Sequence, residues 1–225
     1  MTMPRHPRPP SSRAFTLIEL LVAIGLTAII LWGLLELYSS ATRFASTMFT
    51  EAELCAGGRA VLDHFCRDLT GASTLSIGYL RIINGEDDPN IDAVQFVAPV
   101  GEGGQLLHVI YRVHPVTKTL IRGVKGPVED NTIPTNLTDY TDSPLGVRVE
   151  RFNVQYVDNG SSSGDPIDVQ LNEATKDVTW RDDTPTDGTS SRLPCAIFIE
   201  IQVVDPKGRA SITLSSGAYL AGGGL

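Results

Sequence analysis

Residues 15–35 read FTLIELLVAIGLTAIILWGLL, and this run constrains the fold more than any other part of the chain. Coiled into a helix it is about 31 Å long, enough to cross the hydrocarbon core of a bilayer. Gly25, Thr27 and Gly33 interrupt it with small or polar side chains, as is common where helices pack in lipid. One residue does not suit a plain anchor. Glu19 is a carboxylate four residues inside the run, where ionisation is costly. The bland account is a glutamate that snorkels to the membrane edge.

The flanks orient the run. Residues 1–14 carry Arg5, Arg8 and Arg13 and no acid, whereas Glu36, Arg43, Glu51 and Glu53 follow the apolar stretch. The positive-inside bias predicts a cytoplasmic leader and an extracytoplasmic remainder. A cleaved secretory signal has a shorter apolar core followed closely by a small-x-small site, and neither is present. A single-span anchor fits the length. The 225 residues hold 18 Lys+Arg against 26 Asp+Glu, a net charge of −8. No basic cluster follows residue 15, which argues against a nucleic-acid partner.

Beyond Leu35 the helical pattern continues. Phe44, Met48, Cys55, Gly58, Leu62, Phe65 and Leu69 form a stripe that would cover a sheet, with Glu51, Glu53, Arg59, Asp63, Arg67 and Asp68 off it. The expected stem helix runs from residue 15 to about residue 70. A bend or local looseness is expected at Gly57-Gly58, since each Gly costs about 1 kcal/mol against Ala in a helix. From Ser76 the period changes to two. Strands are expected at 77–83, 93–98, 106–114, 117–124, 147–157, 196–204 and 210–214. Turns are expected at 114–117 and 205–208, and a bulge at Glu150-Arg151. The fold class is therefore α+β: a long N-terminal stem helix, transmembrane in its first half, packed on an antiparallel β-sheet domain. The expected parts are a leader (1–14), a transmembrane half (15–36), an amphipathic half (37–71) and an antiparallel β domain (76–225). Two long loops, 125–144 and 159–192, are rich in Gly, Ser, Thr, Asp and Pro, and Trp180 in the second is expected to pack back onto the sheet.

No catalytic constellation emerges. His6 lies in the leader and His64 on the helix, and His108 and His114 stand about 20 Å apart along one strand, too far to share a metal. There is no Gly-rich phosphate loop and no CxxC. Two acidic clusters offer loop oxygens suited to Ca²⁺: residues 86–92, and Asp182-Asp183 with Asp187. Asp87, Asp88 and Asp92 are the weak calcium candidates, solvated turns are the plain alternative, and no other cofactor is expected. Cys55 and Cys66 would lie about 16 Å apart on one straight helix, beyond the reach of a bridge. Any disulfide needs Cys195; the alternative is three small apolar side chains.

The string Phe15-Thr16-Leu17-Ile18-Glu19, behind a basic leader and at the head of a spanning segment, resembles the N-terminal motif of type IV pilins and type II secretion pseudopilins. The resemblance implies a cut by a prepilin peptidase between Ala14 and Phe15 and methylation of the new amine on Phe15. Glu19 then becomes the fifth mature residue and meets the terminal ammonium of a neighbouring subunit in a fibre. Such a pair attracts strongly in low dielectric and is costly when broken, so it favours assembly and sets axial register. The family usually has Gly before the cut, where this chain has Ala14; both are small. Downstream, VIYRVHPVTKTLIR, GVRVERFNVQYVD and LPCAIFIEIQVVDPKGRA look like the J-type minor pseudopilin and the related W-type minor pilins.

That likeness implies a structural subunit, not an enzyme, at or near the tip of a type II secretion pseudopilus, assisting fibre initiation and protein export. The implied partners are I- and K-type minor pseudopilins, the major subunit, the prepilin peptidase and the inner membrane. The N-terminus would be cytoplasmic and the C-terminal domain periplasmic. The rival readings are a minor pilin of a type IV pilus, serving adhesion, DNA uptake or motility, and a membrane-anchored extracytoplasmic binding module that uses the two long loops.

Overall fold

A computed structural model describes residues 15–72, 79–83, 91–129, 132–157, 167–168, 177–181 and 194–220, with the backbone alone for 167–168 and 177–181. The chain divides into two compact units, Met1–Met48 and Phe49–Leu225. A single helix, α1 (Leu17–Thr70), forms the described part of the first unit and opens the second.

In the first unit the described apolar side chains of α1 are exposed. Leu17, Ile18, Leu21, Ile29, Trp32 and Leu35 are all more than half exposed. Among the described residues α1 is the one helix long and apolar enough to cross a membrane. Its polar interruptions are silenced locally. Thr27 Oγ1 donates to the Ala23 carbonyl at 2.9 Å, and Thr42 Oγ1 to the Tyr38 carbonyl at 2.6 Å. Such back-bonding leaves no hydroxyl donor to be satisfied by lipid.

In the second unit, residues 49–70 of α1 lie on a sheet. Gly58, Val61, Leu62, Phe65, Asp68 and Leu69 are buried, a stripe at three- and four-residue steps. The strands are β1 (Tyr79–Ile83), β2 (Ala93–Ala98), β3 (Leu107–Val113), β4 (Thr119–Lys125), β5 (Thr141–Val157), β6 (Ile167–Asp168), β7 (Asp177–Arg181), β8 (Ala196–Val204) and β9 (Ser211–Tyr219). All pair antiparallel, in the order β7-β1-β2-β3-β4-β5-β8-β9, with β6 also on β5. This is the α+β, pilin-like architecture. β5 makes the sheet curl. Its first half pairs with β4 and its second with β8, and the register slips between Val149 and Arg151 where the bulge was expected.

The helix-facing core alternates along each strand: Val94 and Phe96, Val109 and Tyr111, Val149, Phe152 and Val154, then Ile197, Ile199 and Ile201. The rings of Phe65, Phe96 and Tyr111 meet at its centre, with Phe65 edge-on to Tyr111 at 4.8 Å. The opposite face is covered too. There Gln95, Val97, His108 and Ile110 are buried. Gln95 Nε2 donates to the Pro134 carbonyl at 2.9 Å and to Tyr140 Oη.

Both expected turns form. The His114 carbonyl accepts from Lys118 N–H at 2.9 Å, and the Asp205 carbonyl accepts from Gly208 N–H at 2.7 Å. Gly208 has φ +67°, which only glycine adopts without strain. Five expectations need correction. α1 runs through Gly57-Gly58 without a break in helical structure. The reason is tertiary: a Cβ on Gly58 would run into Leu214 Cδ1 and stand 3.1 Å from Val203 Cγ2, so the missing side chain admits β8 and β9. The covering stripe starts later than Phe44 and Met48, both of which are exposed. Asp68 is buried, not off the stripe. The segment 159–192 is not all loop, because β6 and β7 lie in it, and β9 extends five residues past 214. Trp180 pairs its backbone with Leu80, and its side chain lies outside the described residues.

Candidate functional site

Three groups of residues stand out, and the first is at the head of α1. Thr16 precedes the first helical residue, and its Oγ1 accepts the N–H of Glu19 at 3.3 Å. Thr16-Leu17-Ile18-Glu19 is thus the T-x-x-E pattern of a capping box, with Glu19 in the first turn. A carboxylate there complements the positive end of the helix dipole. The T-x-x-E spacing would have announced this cap from sequence. Phe15 is 78% exposed. Ala14, the other residue of the expected cleavage point, lies outside the described residues. Glu19 therefore stands near the chain atoms that a cut before Phe15 would convert to an amine.

The second group joins the helix to the sheet. Asp68 Oδ2 accepts from Arg122 Nε at 2.6 Å and from Tyr111 Oη at 2.7 Å. With its one proton committed to Asp68, the Tyr111 oxygen accepts from His64 Nδ1 at 3.1 Å. Burial and the Asp68 carboxylate both push the Tyr111 phenol well above its usual value. Burial pulls the Arg122 guanidinium down, but its bond to Asp68 outweighs this and the net shift is upward. The arrangement keeps Arg122 charged and Tyr111 neutral, and it fixes the register of helix on sheet. Sequence reasoning missed it, because Asp68 looks like a solvent-facing acid when its partners are not in view.

The third group lies under the outer layer. Tyr79 Oη and His108 Nδ1 are 3.0 Å apart. Burial, then Tyr140, pushes the Tyr79 phenol upward. His114 is elsewhere: its Nδ1 accepts from Val116 and Thr117 N–H in the β3–β4 turn. Of the calcium candidates, Asp87 and Asp88 lie outside the described residues. Asp92 is buried, and its Oδ2 accepts Val154 N–H at 2.8 Å, which ties β2 to β5. No group of three metal-ligating side chains gathers among the described residues. The three cysteines are free thiols; Cys195 Sγ lies 3.3 Å from the Val157 carbonyl and Cys66 Sγ 3.3 Å from Ser216 Oγ. An open groove of about 850 Å³ runs between the helix and the β4–β5 and β8–β9 ends, and Glu53, His64, Arg148 and Asp205 line it. Asp205 is already held by Arg209 at 3.0 Å, which keeps its carboxyl below the usual range.

Residues 10–35 match the prokaryotic N-terminal methylation motif. No curated protein and no solved structure matches the chain. The motif is of the prepilin type and supports a place in the type IV pilin and pseudopilin superfamily, whose members are processed by a prepilin peptidase and assemble with other pilins. Proteins of this motif and fold are typically structural subunits.

Proposed function

We propose that the chain is a minor pseudopilin, a structural subunit at or near the tip of a type II secretion pseudopilus that assists fibre initiation and protein export. The leader, residues 1–14, is removed by the prepilin peptidase, Phe15 is N-methylated, and the apolar part of α1 holds the subunit in the inner membrane with its sheet domain in the periplasm. I- and K-type minor pseudopilins and the major subunit are its partners. One observation carries the reading: Glu19 sits in the first turn of an apolar, unburied helix, inside the matched methylation motif and four residues from the expected new amine. The downstream order of stem, hairpin, bulged strand and terminal hairpin supports the J-type assignment.

The test is the intact mass and N-terminal residue of the protein taken from membranes of cells that contain a prepilin peptidase. The expected product begins at N-methyl-Phe15. A chain that still begins at Met1 refutes the processed-subunit reading and favours an anchored binding module. Cross-linking of the mature chain in those membranes then separates the two fibre types. Capture of I- and K-type pseudopilins is the expected result, and capture of type IV pilus subunits alone overturns the secretion assignment.

A further inference from the structure

Among the described residues β9 ends the sheet path and pairs on one side only. Its nine residues all oppose β8, with no register shift. Antiparallel pairing alternates between residues that exchange both backbone bonds with the neighbour and residues that turn both away. The phase is set by two bonds at the ends of the hairpin: Asp205 N–H to the Ala210 carbonyl at 2.9 Å, and Leu220 N–H to the Cys195 carbonyl at 3.0 Å. The even-numbered residues of β9 therefore bond to β8. Ser211, Thr213, Ser215, Gly217 and Tyr219 turn their N–H and C=O groups to the open side, and their side chains are exposed as well. Among the described residues no backbone group meets that side.

Edges of this length are ordinarily blunted with lysine, proline, a bulge or a covering segment. β9 carries no charged residue and no proline, and has no bulge. Its single glycine does not weaken it. The Phe198 ring of β8 lies over Gly217, where a Cβ would stand 2.5 Å from Phe198 Cδ1; an aromatic cover of this kind steadies a glycine in a strand. The result is a long, regular, uncharged edge with five donors and five acceptors facing outward.

We propose that the open side of β9 docks an extended, uncharged strand of a partner polypeptide, antiparallel to β9 and ending in a carboxylate beside Lys207. The mode is strand addition, in which main-chain bonds supply the affinity. Antiparallel polarity lets each odd-numbered residue exchange both bonds with one opposite residue. A strand of that polarity finishes at the start of β9, next to the turn that carries exposed Lys207, where the neighbouring Arg209 is paired with Asp205 at 3.0 Å. On a chain of net charge −8, the Lys207 ammonium is where a terminal carboxylate is attracted, and such complementarity fixes register. The inference does not depend on the type of fibre.

The experiment is residue-resolved hydrogen exchange of the full chain in detergent micelles. The probe is an acetylated eight-residue peptide of alternating Thr and Val that ends in Asp with a free carboxylate. Without it, amides 212, 214, 216 and 218 are expected to be protected, and 211, 213, 215, 217 and 219 to exchange freely. At a probe concentration about ten times its Kd the odd-numbered set should slow about tenfold, with the even-numbered set unchanged. A matched peptide ending in Lys-amide should protect less. Ser215→Pro, which removes an outward N–H and no bond to β8, should abolish the effect while leaving the even-numbered set protected. The proposal is overturned if the odd-numbered amides stay fast with the probe, or if the Lys-amide peptide protects them equally. It is overturned also if they are already slow in the free chain, which means that the chain covers its own edge. Slowing with protein concentration alone would assign the edge to a second copy and overturn it too.

Discussion

At the scale of single residues, Asp68 decides how the helix sits. Its carboxylate is almost enclosed and receives both a guanidinium and a phenol. Removing one member of a buried pair leaves the other charge uncompensated and typically costs 3–5 kcal/mol. Asp68→Ala should lower the stability of the sheet domain by about 3 kcal/mol in urea unfolding followed by far-UV circular dichroism, and Asp68→Asn by less. The phenols make a second prediction. Tyr79, Tyr111 and Tyr140 all have raised folded-state values, with burial the first cause in each. The neutral phenol is the form the fold favours, so this stability is intact below the unfolded value, near pH 10. Above it the unfolded chain loses protons that the folded chain keeps, and stability should fall as pH rises. Absorbance titration at 295 nm should therefore show fewer phenols ionising in the native chain than in urea at the same pH, up to the point of alkaline unfolding. Neither result was readable from sequence. Asp68 and Arg122 are 54 positions apart, and no local pattern links them. The methylation motif was readable because its whole context, leader, motif and span, is contiguous.

At the scale of elements, two adjacent glycines in α1 have opposite meanings. A Cβ at Gly57 would sit 3.6 Å from Val147 Cγ2, an ordinary contact, whereas at Gly58 it would collide with Leu214 and crowd Val203. Propensity alone favours alanine at either place by about 1 kcal/mol. Gly57→Ala should therefore stabilise the domain by up to about 1 kcal/mol, and Gly58→Ala should destabilise it by about 1–3 kcal/mol through overpacking. Leu214→Ala should recover part of the second loss in a double-mutant cycle, which measures the coupling directly. The alternation of β8 and the turn chemistry of the two hairpins were legible, because strand period and turn residues are local signals. The late start of the covered stripe was not. Phe44 and Met48 continue the apolar pattern, but the sheet reaches only the last turns of the helix. The outer layer was hidden for the same reason: Gln95 alternates as an outward residue should, and it is the segment through Pro134 and Tyr140 that meets it.

At the scale of the whole molecule, the two units should respond independently to changes at the head of α1. Glu19 is exposed in the first turn of α1. Glu19→Ala should leave the urea midpoint of the sheet domain unchanged to within about 0.5 kcal/mol. In cells it should leave the membrane-bound pool of mature subunit intact and empty the sheared-fibre fraction. Loss of the membrane pool as well would instead point to a defect in insertion or processing. The keyed contact between helix and sheet also has a mechanical side. Between Gly58 and Leu69 the helix is held by a notch that receives Leu214, by the ring cluster around Phe65 and by the Asp68–Arg122 bond, spaced along its axis. A tug directed along that axis loads these three fastenings in parallel, as shear, and does not peel them one after another. A subunit built this way would hold its full grip under rising tension and then let go in a single step.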